Sequence, residues 1–210
     1  MKGRRGAFVK KNGYVLRGER TQRKILDAGK EIFSEKGYKE ATVALIAERA
    51  GVGYGTVYAH FRSGKDEVLL LIMEDIMDEF YQVASAAYTP NSKEEAYHFT
   101  SANITQFLEL ARLHREWLAL FHEAFGQSER ILSKWEEISD RFIDRISKNV
   151  EIVKAKGLSR NPDYDARIVA GTLYYPGEKF LWKIALGKTT AHPKEIARNI
   201  AEVYTNGLFK

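Results

Sequence analysis

The chain has 210 residues, of which 44% are hydrophobic and 29% charged, and it carries a formal net charge of +5. This length allows one large domain or a small domain followed by a larger one, and the apolar content supports a sizeable core. Cysteine is absent, which excludes disulfide bonds and thiol catalysis. The sequence shows neither an apolar leader nor an apolar run near the ~18 residues of a membrane span, so we expect a cytoplasmic protein without membrane contact.

Positive charge is concentrated in the first third of the chain. Residues 1–65 contain 15 Lys and Arg against 6 Asp and Glu, a net charge of +9, whereas residues 66–210 have a net charge of −4. Phosphates that bind such a segment release counterions, so the charge favours contact with nucleic acid. Residues 1–19 show no helical period and predict a basic N-terminal arm, which either contacts DNA or is a solvated tail.

The first predicted helix covers residues 21–36. Its apolar residues recur at helical spacing along one face, and Gly37 is the predicted stop. This face consists of Ile25, Ala28, Ile32 and Phe33. The helix is expected to hold the segment that follows it at a fixed angle.

The segment TVALIAERAGVGYGTVYAHF, residues 42–61, predicts two short helices joined by a tight turn. Thr42 is a good N-cap for a first helix over Val43–Ala50, and Gly51 stands where a left-handed residue follows a helix end. A second helix is predicted over Tyr54–His60. A small residue, a turn glycine and inward apolar residues are the requirements of a helix-turn-helix, and all three are met. The small and inward residues are Ile46, Ala47, Ala50, Val52 and Val57.

The outer surface of the second short helix carries hydrogen-bonding groups without bulky charge. Tyr54 and Tyr58 are neighbours at i,i+4, as are Thr56 and His60. Such groups suit phosphate oxygens and base edges in a major groove. The alternative is that the tyrosines are half-buried packing residues and that His60 is a helix-end residue with no partner.

From Arg20 to about Phe80 the chain resembles the DNA-binding domain of the tetracycline-repressor (TetR) family. The matching segments are RKILDAGKEIFSEKGYKEATVALIAERAGV, GTVYAHF and GKDEVLLLIM. The resemblance implies contacts with the operator backbone from Thr56, Tyr58, His60 and Lys65, and Tyr54 stands where the family often reads bases. The sequence departs from the family at Gly53, where a serine or threonine cap is usual, and at Gly64, which lengthens the turn before Lys65. The complete predicted DNA-contacting set is Thr42, Gly53, Tyr54, Gly55, Thr56, Tyr58, His60 and Lys65.

A longer helix is predicted after Phe61, with Ser63 or Gly64 as its cap and a dense apolar stripe over residues 68–80. A ligand signal could reach DNA by tilting this helix. The Thr-Pro-Asn sequence at residues 89–91 breaks the pattern. We therefore predict a DNA-binding domain with its connecting helix over residues 20–80. A larger helical domain for effector binding and dimerisation is predicted over residues 81–210.

The rest of the chain predicts only helices, so the fold class is all-α. The expected ranges are 92–114, 116–125, 128–156, 162–186 and 193–209, and Pro176 should kink its helix. Wide apolar faces on the last two helices suggest a four-helix interface with a second copy, and the alternative is burial within the same chain. The predicted dimer interface is Val169, Leu173, Pro176, Phe180, Ile196, Ile200 and Val203.

No catalytic motif is convincing. Glu95 and His98 have the E-x-x-H spacing of di-iron bundles, but no second motif of this kind exists, and there is no Walker loop, G-x-S-x-G or G-x-G-x-x-G. We expect no enzymatic activity, no bound metal and no cofactor.

A ligand pocket lined by aromatic residues is a better expectation, since helices that carry them should surround one cavity suited to a bulky apolar or aromatic effector. Each of these residues has ordinary core packing as its alternative. The predicted pocket residues are His98, Phe99, Phe107, Trp117, Phe121, His122, Phe125, Phe142, Tyr174, Tyr175 and Trp182.

The motifs and the resemblance together imply a homodimeric transcriptional repressor that binds a palindromic double-stranded operator and leaves it when a small molecule binds. The alternative is a ligand-independent or architectural DNA-binding protein, which would coat or bend DNA without effector control.

Overall fold

The computed structural model of the protein describes residues 13–210, and this range contains nine α-helices and no β-strand. The chain divides into two compact units, the first ending at Leu69 and the second beginning at Leu70, within the fourth helix. Along residues 13–210, no helix combines the length and the apolar character needed to cross a bilayer. The helices are α1 (Gly13–Glu40), α2 (Val43–Ala50), α3 (Tyr54–His60), α4 (Lys65–Ala84), α5 (Lys93–Leu113), α6 (Arg115–Phe125), α7 (Glu129–Ala155), α8 (Ala166–Ala185) and α9 (Pro193–Leu208).

The first helix begins earlier than the sequence predicted. Residues 13–19 were expected in the basic arm but belong to α1, and residues 1–12 of that arm lie outside the described range. The hydroxyl of Thr21 donates to the carbonyl of Arg17 at 3.0 Å, which continues the helix across the expected boundary. Gly13 and Gly18 each destabilise the helix by only about 1 kcal/mol relative to alanine, so they weaken α1 without ending it. Gly37 interrupts α1 as predicted, with φ 72° and ψ 177°.

The core of the first unit forms from the apolar faces that the helical period predicted. The most deeply buried side chains come from α1, α2, α3, the turn after α3 and the start of α4: Ile25, Phe33, Ile46, Val57, Phe61, Val68 and Leu69. The backbones of α1 and α4 approach closely at Gly29, where a β-carbon would lie 2.5 Å from Cγ1 of Val68. A larger residue at this position would separate these two helices.

In the second unit, the most extensive packing joins α5 with α9 and α7 with α8. Side-chain caps fix several of its helix starts: the hydroxyls of Ser92 and Ser128 accept from backbone amides three residues ahead. The eighth helix starts at Ala166 rather than near residue 162, because the carboxylate of Asp165 caps it and accepts from two backbone amides at 2.9 and 3.0 Å. This helix continues through Pro176 to Ala185.

Candidate DNA-contacting surface and ligand cavity

The turn of the helix-turn-helix has the geometry that its sequence predicted. The hydroxyl of Thr42 accepts from the amide of Leu45 at 3.2 Å and starts α2. Gly51 adopts φ 65°, and the amides of Gly51 and Val52 donate to the carbonyls of Glu48 and Ala47 at 3.1 and 3.0 Å. This paired closure reverses the chain within three residues and fixes where α3 begins.

An ion-pair cluster that the sequence did not reveal joins α2 to α1. The guanidinium of Arg49 donates to Glu31 at 2.7 Å and to both carboxylate oxygens of Glu35 at 2.8 and 2.9 Å. The hydrogen bond from Arg49 lowers the pKa of Glu35, so both partners stay charged at neutral pH. The cluster holds α2 in a fixed orientation on the interrupted first helix, although its exposure keeps its contribution to stability small.

The third helix presents a pair of exposed tyrosines. Tyr54 is 56% exposed and Tyr58 39% exposed, their hydroxyls lie 3.3 Å apart, and their ring centroids are 5.2 Å apart. The hydrogen bond with Tyr54 raises the pKa of Tyr58, which keeps this hydroxyl neutral. The pair forms a rigid surface that can donate to and accept from a partner without introducing charge.

Two glycines on this surface differ in what surrounds them. Gly53 precedes α3 and supplies no side-chain cap, as its identity predicted. Gly55 lies inside α3, and a β-carbon there would meet nothing within 4 Å. The protein itself therefore does not require a glycine at position 55, although glycine weakens a helix by about 1 kcal/mol relative to alanine. The absent side chain leaves the backbone of α3 open to close approach from outside.

Gly64 supports the ring of Tyr58. Its φ is 60°, and a β-carbon there would lie 2.9 Å from Cγ2 of Val43 and 3.3 Å from Cε1 of Tyr58. The additional residue in this turn, a departure from the resemblance to the TetR family, thus packs directly against a residue of the tyrosine pair. Sequence reasoning identified the glycine but not its contact.

Lys65 makes its resolved contacts inside the first unit. Its ammonium donates to the carbonyls of Tyr38 and Ala41 at 2.7 and 3.0 Å and lies 4.1 Å from the centroid of the Tyr38 ring. An ammonium has three donors, so at most one remains for a phosphate. Of the other predicted contacts, Thr56 and His60 are half-buried at the edge of α3, and the hydroxyl of Thr42 is engaged as the helix cap.

A cavity of about 70 Å³ lies within the second unit, between helices α5, α7, α8 and α9. Four of the predicted pocket residues line it: Phe99, Phe107, Phe142 and Tyr174. The rings of Phe107 and Phe142 meet edge to face with centroids 5.8 Å apart, and the hydroxyl of Tyr174 donates to Ser139 at 2.8 Å. These contacts hold the apolar wall of the cavity in place.

The other predicted pocket residues lie elsewhere. His98 and Tyr175 are on the surface, with Tyr175 59% exposed, because their helices turn these positions away from the cavity. Seven residues in all do not line the cavity: His98, Trp117, Phe121, His122, Phe125, Tyr175 and Trp182.

Much of the remaining aromatic set forms a closed cluster of its own. Phe125, Trp135 and Trp182 meet with centroids 4.6 to 5.8 Å apart. The indole of Trp135 donates to Glu178 at 2.6 Å. This cluster is a core element and not a cavity wall.

The cavity also contains polar residues that the sequence did not indicate. Tyr88 lies in the segment between α4 and α5, and Tyr204 lies on α9, which was considered only for dimerisation. Thr100, Asn103 and Asn149 complete the polar lining. The aromatic side chains of residues 88 and 204 were the signal in the sequence that could have pointed to the cavity. Helical periodicity alone did not indicate which neighbouring helix they face.

The predicted dimer-interface residues divide into two groups. Leu173 lines the cavity, Ile196 is 4% exposed in the core, and Phe180 is half-buried outside the groove described next. The others line a shallow apolar groove between α8 and α9, where Val203 is 76% exposed. Four predicted interface residues line the groove: Val169, Pro176, Ile200 and Val203. The adjacent Ile168 is 72% exposed and extends the apolar face.

The first unit is a capped helix-turn-helix with an exposed polar third helix. It is followed by an all-helical unit with an internal cavity. Residues 25–72 match the family model of bacterial regulatory proteins of the tetR family. This part of the chain is therefore similar to the DNA-binding region of that family.

Several curated relatives are named as regulators. The HTH-type transcriptional regulator SrpR of Pseudomonas putida is 27% identical over 164 residues, which cover 74% of this chain and 75% of that protein. The fatty acid metabolism regulator protein of Bacillus subtilis is 36% identical over 58 residues, 28% of this chain and 29% of that protein. The chain spans 29% to 50% of the length of the first curated relatives that it matches. These relatives are transcriptional regulators and not enzymes.

Solved structures share the fold over most of the chain. A SmeT–triclosan complex superposes with a TM-score of 0.70 at 22% identity, covering 91% of this chain and 92% of that one. The fatty acid degradation regulator FadR of Bacillus halodurans superposes with a TM-score of 0.62 at 20% identity, covering 94% and 98%. At these identities the similarity establishes the all-helical architecture.

Proposed function

We propose that this protein is a transcriptional regulator, a homodimeric repressor that binds operator DNA through α3 and leaves it when a small molecule occupies the cavity. The observation that carries the proposal is the exposed pair Tyr54–Tyr58 on the second helix of a capped helix-turn-helix. Tyrosine hydroxyls in this position suit phosphate oxygens and base edges, and the segment around them has a net charge of +9.

The residues proposed to act at the DNA are those predicted from the sequence, and their roles differ from one another. The hydroxyls of Tyr54 and Tyr58 contact the duplex directly, with Thr56 and His60 beside them. Gly53 and Gly55 allow close approach of the backbone, and Thr42 acts by capping α2. For Lys65 we propose mainly a positioning role, because its ammonium binds the carbonyls of Tyr38 and Ala41.

The second copy is proposed to bind the apolar groove between α8 and α9. Pro176, Ile200 and Val203 line this groove, and Ile168 and Tyr175 add exposed apolar area beside it. Pairing through such a face is isologous, so the operator would be a palindrome with half-sites about one helical turn apart.

The effector is proposed to occupy the cavity of the second unit. Its wall is largely aromatic, and it lies among the helices that also carry the groove. A complex of SmeT with triclosan has the same fold, which supports a small, largely apolar molecule as the occupant. An effector that prefers one conformation of the dimer would shift the population away from the form that matches the half-site spacing.

Footprinting on DNA from around the protein's own gene tests the proposal. We expect a discrete palindromic footprint of the purified protein and binding that weakens steeply with salt, by a log–log slope of about −0.9 per phosphate contact. Sequence-blind coverage would instead favour the architectural alternative. A monomeric protein that ignores duplex DNA at low ionic strength would refute the proposal.

A further inference from the structure

We infer that the effector is an electrically neutral, mainly apolar molecule with one hydroxyl or carbonyl group, bound between Tyr88 and Tyr204, and that carboxylate ligands are excluded. The inference rests on the proposed function in calling this ligand an effector. Its content is which class of molecule the cavity binds. It can therefore be tested on ligand binding without DNA.

The first observation is that the cavity wall carries no charge. All the residues that line it, within the part of the chain the structure describes, are apolar, aromatic, hydroxyl-bearing or amide-bearing. Arg145 contacts the lining residue Asn149 but is also engaged by backbone carbonyls. Its guanidinium donates to Asn149 at 2.6 Å and to the carbonyls of Ser85 and Ala86 at 3.4 and 3.0 Å.

The second observation concerns the hydroxyls of two lining residues, Tyr88 and Tyr204, of which Tyr204 also lines the groove between α8 and α9. Across residues 13–210, neither Tyr88 nor Tyr204 has a hydrogen-bonding partner for its hydroxyl, in contrast with Tyr174, which donates to Ser139. No fully buried polar side-chain atom of the described residues lacks a partner. Both hydroxyl oxygens must therefore reach space that a small molecule or a water can enter.

The two hydroxyls lie in the same environment. Tyr88 and Tyr204 belong to one buried cluster and are 5% and 8% exposed. Burial raises the pKa of both phenols, and the proximity of Tyr88 contributes to the shift at Tyr204. The surroundings thus oppose a negative charge on their own side chains, and they would oppose one on a ligand for the same reason.

Amide groups complete a neutral polar set. The side-chain nitrogen of Asn103 donates to the carbonyl of Val83 at 2.6 Å, which directs its oxygen elsewhere, and the oxygen of Asn149 is taken by Arg145. Asn149 therefore has a donor to offer and Asn103 an acceptor. Neutral donors and acceptors recognise an alcohol, phenol or carbonyl, whereas a carboxylate would lose its hydration without gaining a counter-charge.

The size of the cavity limits the first probe to a small molecule. Its volume of about 70 Å³ is roughly half of the ~150 Å³ of an engineered cavity that binds benzene, so the walls must yield slightly for any ring. 4-Methylphenol and 4-methylbenzoate have the same ring and nearly the same length. The phenol, with a pKa of about 10, is neutral at pH 7, and the benzoate is ionised.

Calorimetry on the full-length protein, without DNA, measures the binding of 4-methylphenol, 4-propylphenol and the matching benzoates at pH 7. We expect at least one phenol to bind and its benzoate to bind at least about tenfold more weakly. Tyr88→Phe and Tyr204→Phe remove only a hydroxyl and should each weaken phenol binding by about two- to tenfold. Tyr97→Phe is the matched control, since Tyr97 is on α5 and does not line the cavity.

Three results would overturn the inference: benzoates that bind as tightly as the phenols, no binding by any phenol of the series, or phenol binding that is unchanged in both tyrosine variants. Operator affinity is measured separately for the same protein preparations. A protein that binds phenols but not DNA would refute the proposed function and leave the cavity assignment intact, and the converse result would do the reverse.

Discussion

Gly64 lies against the ring of Tyr58, so that a β-carbon on the glycine would come within 3.3 Å of Cε1 of the tyrosine. The glycine also has φ 60°, a conformation that other residues adopt only at a cost of about 1–2 kcal/mol. The turn after α3 therefore couples its own backbone conformation to the position of an exposed aromatic ring on the proposed DNA-contacting surface.

The first prediction concerns this contact. Gly64→Ala should lower the free energy of unfolding by about 1–2 kcal/mol and should weaken operator binding several-fold, because it displaces the Tyr58 ring. Gly51→Ala is the control: its φ is 65°, but a β-carbon there meets nothing within 4 Å. Chemical denaturation and fluorescence anisotropy with operator DNA give the two quantities. Equal operator affinities for the two variants would show that Gly64 does not position Tyr58.

The second prediction separates stability from DNA contact at Lys65. Lys65→Met leaves the carbonyls of Tyr38 and Ala41 without the ammonium, so the free energy of unfolding should fall by about 1–2 kcal/mol. Lys36→Met removes an exposed charge of the same unit and should have little effect on stability.

The salt dependence of operator binding by Lys65→Met then measures its contact with DNA. We expect a log–log slope close to that of the unaltered protein, since the ammonium is engaged within the unit. A slope smaller in magnitude by about 0.9 would instead assign a phosphate contact to Lys65. Unchanged stability would contradict the positioning role.

The third prediction tests the groove between α8 and α9. Val203→Glu places a carboxylate on an exposed apolar face, so it should raise the dimer dissociation constant by about tenfold or more without unfolding the protomer. Leu113→Glu introduces the same charge at a side chain that is 72% exposed outside this groove. Analytical ultracentrifugation across a concentration series compares the two. Equal dimer dissociation constants for the two variants would place the interface elsewhere.

The fourth prediction uses a glycine on the cavity wall. Gly177 is buried and lines the cavity, and a β-carbon there would meet nothing within 4 Å. Gly177→Ala should therefore raise the free energy of unfolding by up to about 1 kcal/mol through helix propensity, while it reduces the space for a ligand.

Ligand binding provides the decisive comparison for this variant. Phenol affinity should fall in Gly177→Ala and stay unchanged in Gly18→Ala, which alters a half-buried helical glycine of the first unit where a β-carbon would meet nothing within 4 Å. Calorimetry on both proteins measures it. Undiminished phenol affinity in Gly177→Ala would mean that the ligand does not occupy this cavity.

The local signals in the sequence were sufficient for the helix-turn-helix. Thr42 and Gly51 determine where α2 begins and ends, and both predicted helices have the observed bounds, because caps and left-handed glycines act within a single turn of chain. The start of α1 was predicted too late, since glycines at positions 13 and 18 suggested an irregular segment. Their propensity cost is small beside the hydrogen bonds of a continuing helix.

The cavity could be predicted only in part, for a physical reason. Helical spacing identifies an apolar face but not which neighbouring helix it meets. Phe107 and Phe142 therefore line the cavity, whereas Phe125 and Trp182 pack against each other with centroids 5.4 Å apart. Tyr88 was missed because it belongs to no helix, and its place on the cavity wall depends on contacts between distant parts of the chain.

The most direct test of the account is the operator affinity of the double variant Tyr54→Phe/Tyr58→Phe, measured by anisotropy at several salt concentrations against the control Tyr97→Phe. Both altered residues keep their rings and lose only neutral hydroxyls, so the dimer should persist and the salt slope should stay the same. We predict that operator affinity falls by about tenfold or more while the control is unaffected. Unchanged operator affinity in the double variant would contradict the claim that the tyrosine pair on α3 contacts DNA.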